Sequence, residues 1–411
     1  MPELSEPVPS PRQRQDVLDL AGGAFLCLAL AGLFFSMALV NVGMWAAVLC
    51  VAAHGLRRPA IQARPARELL GPLGLALAAY IAALALTAAL GIRPAESLRE
   101  LPKTAVFLLL FLTAHRVRRR GALKPLLVAM ALGSTYAAGF AIYEHFHPGE
   151  WKHQALATGR VAGPASDTID FSARLTPALA VGSSIALFAR EPAVAATATG
   201  WCALVALALA FTQTRANLAA LVAGLAATAL LTRRAPPVVL LLVLVALALW
   251  PNAPIATRYR TIASTQDPSN QYRFDVLRVA ATIAARHFPW GTGRGNFGVV
   301  HDGLKSPDQP SKLSAHNNYV DLLCETGVLG LAAFLAIHAA FLGRTVCGLG
   351  ALAAGSLEHA AALGSIQAFV TFMAFGLFHS NWTYALPPAV LMSLMGIGWG
   401  LASGLEPERG A

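Results

Sequence analysis

Residues 71–90 read GPLGLALAAYIAALALTAAL. None of these side chains is charged, and a helix of about 20 residues rises about 30 Å, the thickness of the hydrocarbon layer of a bilayer. Eleven further apolar stretches lie around this run. The twelve candidate crossings cover 17–35, 38–55, 69–90, 102–115, 123–143, 171–189, 193–211, 217–232, 238–250, 319–342, 359–379 and 384–403. The ninth is the shortest, because Pro236, Pro237 and Pro251 bound it. The polar start, Met1 to Asp16, runs into two successive apolar segments, so the first helix is expected to stay as an anchor rather than be cleaved.

Composition points the same way. Of 411 residues, 56% are hydrophobic and 13% charged, against about 25% charged in soluble proteins. There are too few charges to solvate a globule of this size, so a soluble enzyme or secreted domain is excluded. The net charge of +10 sits on no soluble domain with a Lys/Arg run that could track a phosphate backbone, and nucleic acid is not an expected partner. Five cysteines, an odd number in or beside apolar stretches, imply no disulfide framework. No CxxC or HExxH pattern offers a zinc site.

Lys and Arg accumulate in the cytoplasmic loops of membrane proteins. Placing both termini inside puts 16 of the 31 basic residues there, among them Arg57, Arg58, Arg116, Arg118, Arg119, Arg120 and Lys124. The fold expected is therefore an all-α polytopic membrane protein with about 12 transmembrane helices. Residues 1–250 hold the first nine with an outer loop at about 145–170, residues 251–318 form one large, partly helical periplasmic lobe, and residues 319–411 hold the last three. The lobe is the only long connection, and long loops are commonly functional. From Pro251 to Ser314 it carries eight basic residues against four acidic ones, an excess that topology does not explain and that fits an anionic ligand. Asn270 can cap a helix running to about His287, with Tyr272, Phe274, Leu277, Ala281 and Ala284 as its apolar stripe. Pro289 ends it, and Gly291, Gly293 and Gly295 make a flexible turn.

Three polar constellations stand at the outer ends of apolar runs. In Thr212-Gln213-Thr214-Arg215, an arginine at a helix junction is either a ligand for something anionic or a snorkelling side chain. In the lobe helix, the guanidinium of Arg273 suits bidentate phosphate contact; Arg278 and Arg286 are its equals on spacing alone. In SAHNNYVDLLCETGVLG, 314–330, His316 sits at the membrane boundary, where a histidine can act as a general base. His379 is a weaker candidate on the same face, and His54, His115, His338 and His359 fall toward the inner face. GTGRGNFG, 291–298, has no preceding strand and fails as a dinucleotide loop. There is no Asp-x-Asp to hold a divalent ion for a nucleotide-sugar donor, and no Gly-x-Ser-x-Gly elbow.

In order, TQTRANLAAL with Arg215, Arg273 opening a helix that leads to PWGTGRGNF, and His316-Asn-x-Tyr with ten residues before Gly327 resemble the bacterial O-antigen ligase family. That family shares a region with O-antigen polymerases. The resemblance covers about 212–331. Thr214-Arg215-Ala216 departs from the Ser-Arg-Gly more usual there. It implies transfer of polysaccharide from an undecaprenyl diphosphate carrier to lipid A-core on the periplasmic face of the inner membrane. It further implies an inverting, metal-independent route without cofactor, in which His316 is the base and Arg215, Arg273 and Asn317 bind substrate. The short 145–170 segment, with only Lys152 and Arg160 as Lys or Arg beyond His145 and before Ser172, favours ligase over polymerase. A transporter of anions or lipid-linked saccharides, the reading from a different class, would show inverted repeats and polar midplane residues; Gln367 is nearly the only deep polar residue legible. Roles for Arg160, Arg174, Asp167 and Arg278 stay open.

Overall fold

A computed structural model describes residues 11–57, 71–119, 121–149, 159–165, 167–240, 268–306, 310–311 and 313–404. Among these residues the protein is all-helical. In chain order the helices are α1 (Pro11–Gly32), α2 (Met37–Arg57), α3 (Pro72–Leu90), α4 (Pro94–Glu100), α5 (Leu108–Val117), α6 (Leu123–Phe146), α7 (Thr168–Phe188), α8 (Pro192–Thr212), α9 (Arg215–Thr232), α10 (Pro268–Arg286), α11 (Phe297–Leu304), α12 (Asn318–Gly348), α13 (Leu357–Phe375) and α14 (Leu386–Ala402). A 3₁₀ segment, Leu101–Phe107, joins α4 to α5. The stretch read first, 71–90, is α3.

Seven of the described helices (α2, α3, α6, α7, α8, α9 and α12) are long and apolar enough to cross a membrane, and Val17–Gly32 and Leu386–Ala402 are apolar but shorter. The difference from twelve has physical causes. The run at 102–115 splits where 3₁₀ geometry gives way to a ten-residue helix, α13 carries Glu358, His359 and Gln367, and residues 241–250 of the ninth run lie outside the described residues.

The core is built around α7, which packs on α8, α9, α13 and α14 and is buried along nearly its whole length. The one charged pair of α7, Asp170 and Arg174, is buried with it and neutralises itself. Small residues bring backbones together, as they do between membrane helices. On α14, Gly396 and Gly400 lie against α5, where an added Cβ would overlap the carbonyl oxygens of Leu110 and Ala114. Gly400→Leu is expected to cost about 1–3 kcal/mol through overpacking, read as a lowered melting temperature of the detergent-purified protein. Gly139→Leu, on an exposed face of α6 where nothing lies within 4 Å, is the tolerated control.

Gln367 is not alone in the interior. Its amide donates to Ser183 at 2.8 Å and its oxygen accepts from Thr228 at 3.3 Å. Nearer the outer end, Asn217 joins Ser172, Thr176 and Thr212. These groups satisfy one another across α7, α8, α9 and α13, and so act as interhelical fastenings. The described part of the lobe, α10 and α11, makes a second small core of Val276, Ala280, Ile283 and Phe297 with Ala315 and Cys324. Helix α10 starts two residues before Asn270. Its buried face differs from the apolar stripe read in sequence: Phe274 is 56% exposed and Ala281 is exposed as well, because apolar residues occupy two faces and only one is covered.

Candidate active site

The site begins with a broken helix. Within α12, Gly327 has φ 61° and ψ −162°, which interrupts helical geometry. The segment 318–326 and the remainder of α12 therefore run in different directions, although hydropathy reads them as one span. The glycine turn after α10 docks on this break. Val328 N–H donates to Pro289 O at 3.0 Å, Thr292 N–H to Cys324 O at 2.8 Å and Gly293 N–H to Glu325 O at 2.9 Å. The carboxylate of Glu325 accepts from Gly295 N–H at 2.9 Å and Phe297 N–H at 3.3 Å. Gly291, Gly293 and Gly295 all have positive φ, which side chains rarely tolerate. The turn expected to be flexible is thus held on both sides, since Ile92 N–H donates to Thr292 O at 2.9 Å and Ser97 Oγ to Arg294 O at 2.8 Å. Arg294 is spent on this fastening. Its guanidinium donates to Tyr80 Oη at 3.2 Å and reaches Trp382 O at 3.5 Å.

At the start of the broken helix stands His316, with φ 55°. Its backbone is fixed by its neighbours. Asp321 accepts from Ala315 N–H at 2.6 Å. Asn317 caps α12 by accepting from Tyr319 and Val320 N–H at 3.0 and 3.1 Å, and donates to Leu377 O at 3.0 Å. Asn318 donates to Asn381 and accepts from Trp382 N–H. A left-handed residue that is not glycine persists where surroundings over-determine it, commonly at functional sites. Both ends of the Asn317 side chain are engaged with backbone, so its visible work is holding this loop.

The segment joining α13 to α14 passes directly by. His379 is 5% exposed, its ring edge-on to that of His316 with centroids 6.3 Å apart, and 5.2 Å from the ring of Phe375. Burial, then the charges of Arg273, His316 and Arg160, hold the His379 imidazole well below its usual pKa, so it stays neutral near pH 7. Arg273 from α10, Arg160 from the α6–α7 connection and His316 are thus near enough to act on the charge of His379. Tyr272, beside Arg273, has its ring 6.5 Å from that of His316.

Arg215 opens α9 next door. Arg160 donates to Thr212 O at 2.9 Å and Thr214 Oγ1 at 3.1 Å, the turn that leads into Arg215. Ala216 packs with Phe375 in a small cluster at the same place. The connection bearing Arg160 is pinned from α6, where Glu144 accepts from Ala162 and Gly163 N–H at 3.1 and 2.7 Å. The fold thus brings the ring of His316 to those of His379 and Tyr272, with Arg273 next in the chain, and hydrogen-bonds Arg160 to the turn before Arg215. No spacing rule could have supplied Arg160, which lies 113 residues before Arg273 in sequence and arrives through tertiary contact. Arg278 is elsewhere: its side chain is 84% exposed and 3.7 Å from Asp275. Arg174 is buried against Asp170 within α7. Asp167 caps α7 and accepts from Tyr384 Oη at 3.3 Å.

Residues 200–335 match the family model described as O-antigen ligase. That region of the chain is similar to the O-antigen ligase domain. The match runs from α8 into α12 and takes in Arg215, Arg273, His316 and Gly327. No curated protein matches the chain. Within the matched region the glycine turn and Gly327 fasten to each other through backbone hydrogen bonds.

Proposed function

We propose that this membrane enzyme ligates polysaccharide, carried on undecaprenyl diphosphate, to a hydroxyl of lipid A-core oligosaccharide on the periplasmic face of the inner membrane, with both termini cytoplasmic. The observation that carries the reading is the meeting of the His316 ring with those of His379 and Tyr272, the neighbour of Arg273, while Arg160 is hydrogen-bonded to the turn that leads into Arg215. Cationic forks of this kind bind diphosphate oxygens. His316 takes the proton of the attacking hydroxyl. The new bond forms between that oxygen and the anomeric carbon, and the bond from the anomeric carbon to the diphosphate oxygen breaks on the opposite face, inverting the configuration. The leaving diphosphate keeps the electron pair, and Arg160, Arg215 and Arg273 receive its developing charge, the task a divalent ion performs in other transferases. We assign Asn317 to holding the loop of His316.

The test is in vitro ligation with lipid-diphosphate-linked polymer and lipid A-core, with and without EDTA. Turnover is expected to survive the chelator; strong metal dependence would overturn the arginine scheme. Arg273→Lys is expected to lose about tenfold or more, since one charge-assisted hydrogen bond contributes about 1.5–3 kcal/mol. Arg278→Ala, at an exposed ion pair, should stay within about twofold. In a deletion strain, polymer accumulating on its carrier supports ligase. Surface lipopolysaccharide bearing single repeats would instead identify a polymerase, and an unchanged profile would count against both.

A further inference from the structure

At the end of the bundle opposite His316, α1, α2 and α5 enclose a cavity of about 50 Å³. At about 10–15 Å³ per water, it takes a few water-sized groups, and because it is open on one side it can admit part of a larger molecule. Its walls are of two kinds. Leu18, Leu26, Ala47, Val51 and Leu112 make an apolar side, and Arg116 and Arg119 with Asp19, joined by His54 and His115, make the polar part. Gly23 makes room for the guanidinium: a Cβ there would lie 2.6 Å from Arg116 Nη2. Asp19 pairs with both arginines, so this trio keeps one net positive charge. Lys124 stands nearby in sequence, at the start of α6.

A basic mouth on an apolar slot, at the end of the bundle where Lys and Arg accumulate, matches an amphiphile whose head is anionic and whose tail is hydrocarbon. Basic pockets between membrane helices on the cytoplasmic side bind anionic lipid head groups. We propose that this cavity is a binding site for an anionic phospholipid of the inner leaflet, the phosphate at Arg116 and Arg119 and the first carbons of an acyl chain along Leu26, Ala47 and Leu112. The occupant is a lipid rather than free phosphate because the greater part of the wall is apolar. This proposal is independent of the transfer reaction on the other face.

Native mass spectrometry of the detergent-purified full chain, titrated with phosphatidylglycerol or with phosphatidylcholine of the same acyl chains, tests it. Wild type is expected to prefer phosphatidylglycerol. Arg119→Gln should lower that affinity about fivefold, the effect of one basic residue near a lipid surface. Asp19→Asn should raise it by freeing both arginines. Cys50→Leu, which narrows the cavity without touching its charge, should weaken binding of both lipids. Equal binding of the two lipids by wild type would overturn the proposal, as would an unchanged phosphatidylglycerol affinity in both Arg119→Gln and Cys50→Leu. Displacement by inorganic phosphate at the same concentration as the lipid would do so too, by showing a phosphate site with no lipid component.

Discussion

Replacing His316 by asparagine is expected to lower polysaccharide transfer by about 10²–10⁴, the usual contribution of a positioned general base, while the purified protein keeps its melting temperature. The separation of these two readouts follows from the way the loop is held. The φ of 55° at His316 is enforced by bonds to Ala315, Asn318 and the cap at Asn317, none of which involves the imidazole. Asparagine tolerates left-handed backbone and removes the base. His316→Ala should lose transfer equally but also some stability, because alanine is less at ease in that conformation. Binding of the lipid diphosphate should persist in both, since the arginines remain. Near-normal turnover by His316→Asn would remove the histidine from the mechanism. Loss of donor binding with the fold intact would instead make it a ligand for the diphosphate.

The outcome at His316 also separates what is legible in the sequence from what is not. Helix positions such as 71–90 are readable because a bilayer fixes the length of an apolar run, and α3 fills that interval. The reach of Arg273 is not readable in the same way. Arg273 and Arg278 are five residues apart on one helix, and only the packing of Val276, Ala280 and Ile283 with Phe297 and Cys324 leaves the second in solvent and sets Tyr272, beside the first, against the ring of His316. His379 and Arg160 enter through tertiary contact from segments with no motif of their own. The glycine turn was visible as a turn, yet its rigidity depends on Glu325, Ser97 and Ile92, which lie in two other segments of the chain. Gly327 was visible only as the last letter of a spacing. Hydropathy runs through it unbroken, because a bend at one glycine changes direction without changing polarity.

That bend carries the second large effect. Gly327→Ala is expected to abolish measurable transfer, or reduce it by at least about a hundredfold, the cost of displacing reacting groups by about 1 Å. Two separate obstacles act at this position. Backbone with φ 61° and ψ −162° is essentially restricted to glycine. A Cβ would also overlap Pro289 O and press on Trp290 C. The substituted chain has two ways out, and each is damaging. If α12 regularises through position 327, segment 318–326 swings away and takes His316 with it, while the bonds from Thr292, Gly293 and Val328 are lost. If the bend is kept, the glycine turn must lift off, and Arg294 then leaves Tyr80 and Trp382 O, next to the segment that carries His379. Either route also leaves Glu325 without the N–H groups of Gly295 and Phe297, a buried acid short of its partners, so a lowered melting temperature should accompany the loss. Gly303→Ala on α11, where nothing lies within 4 Å, should leave transfer within about twofold, as surface changes commonly do. Full activity in Gly327→Ala would show that the cleft does not depend on the break in α12.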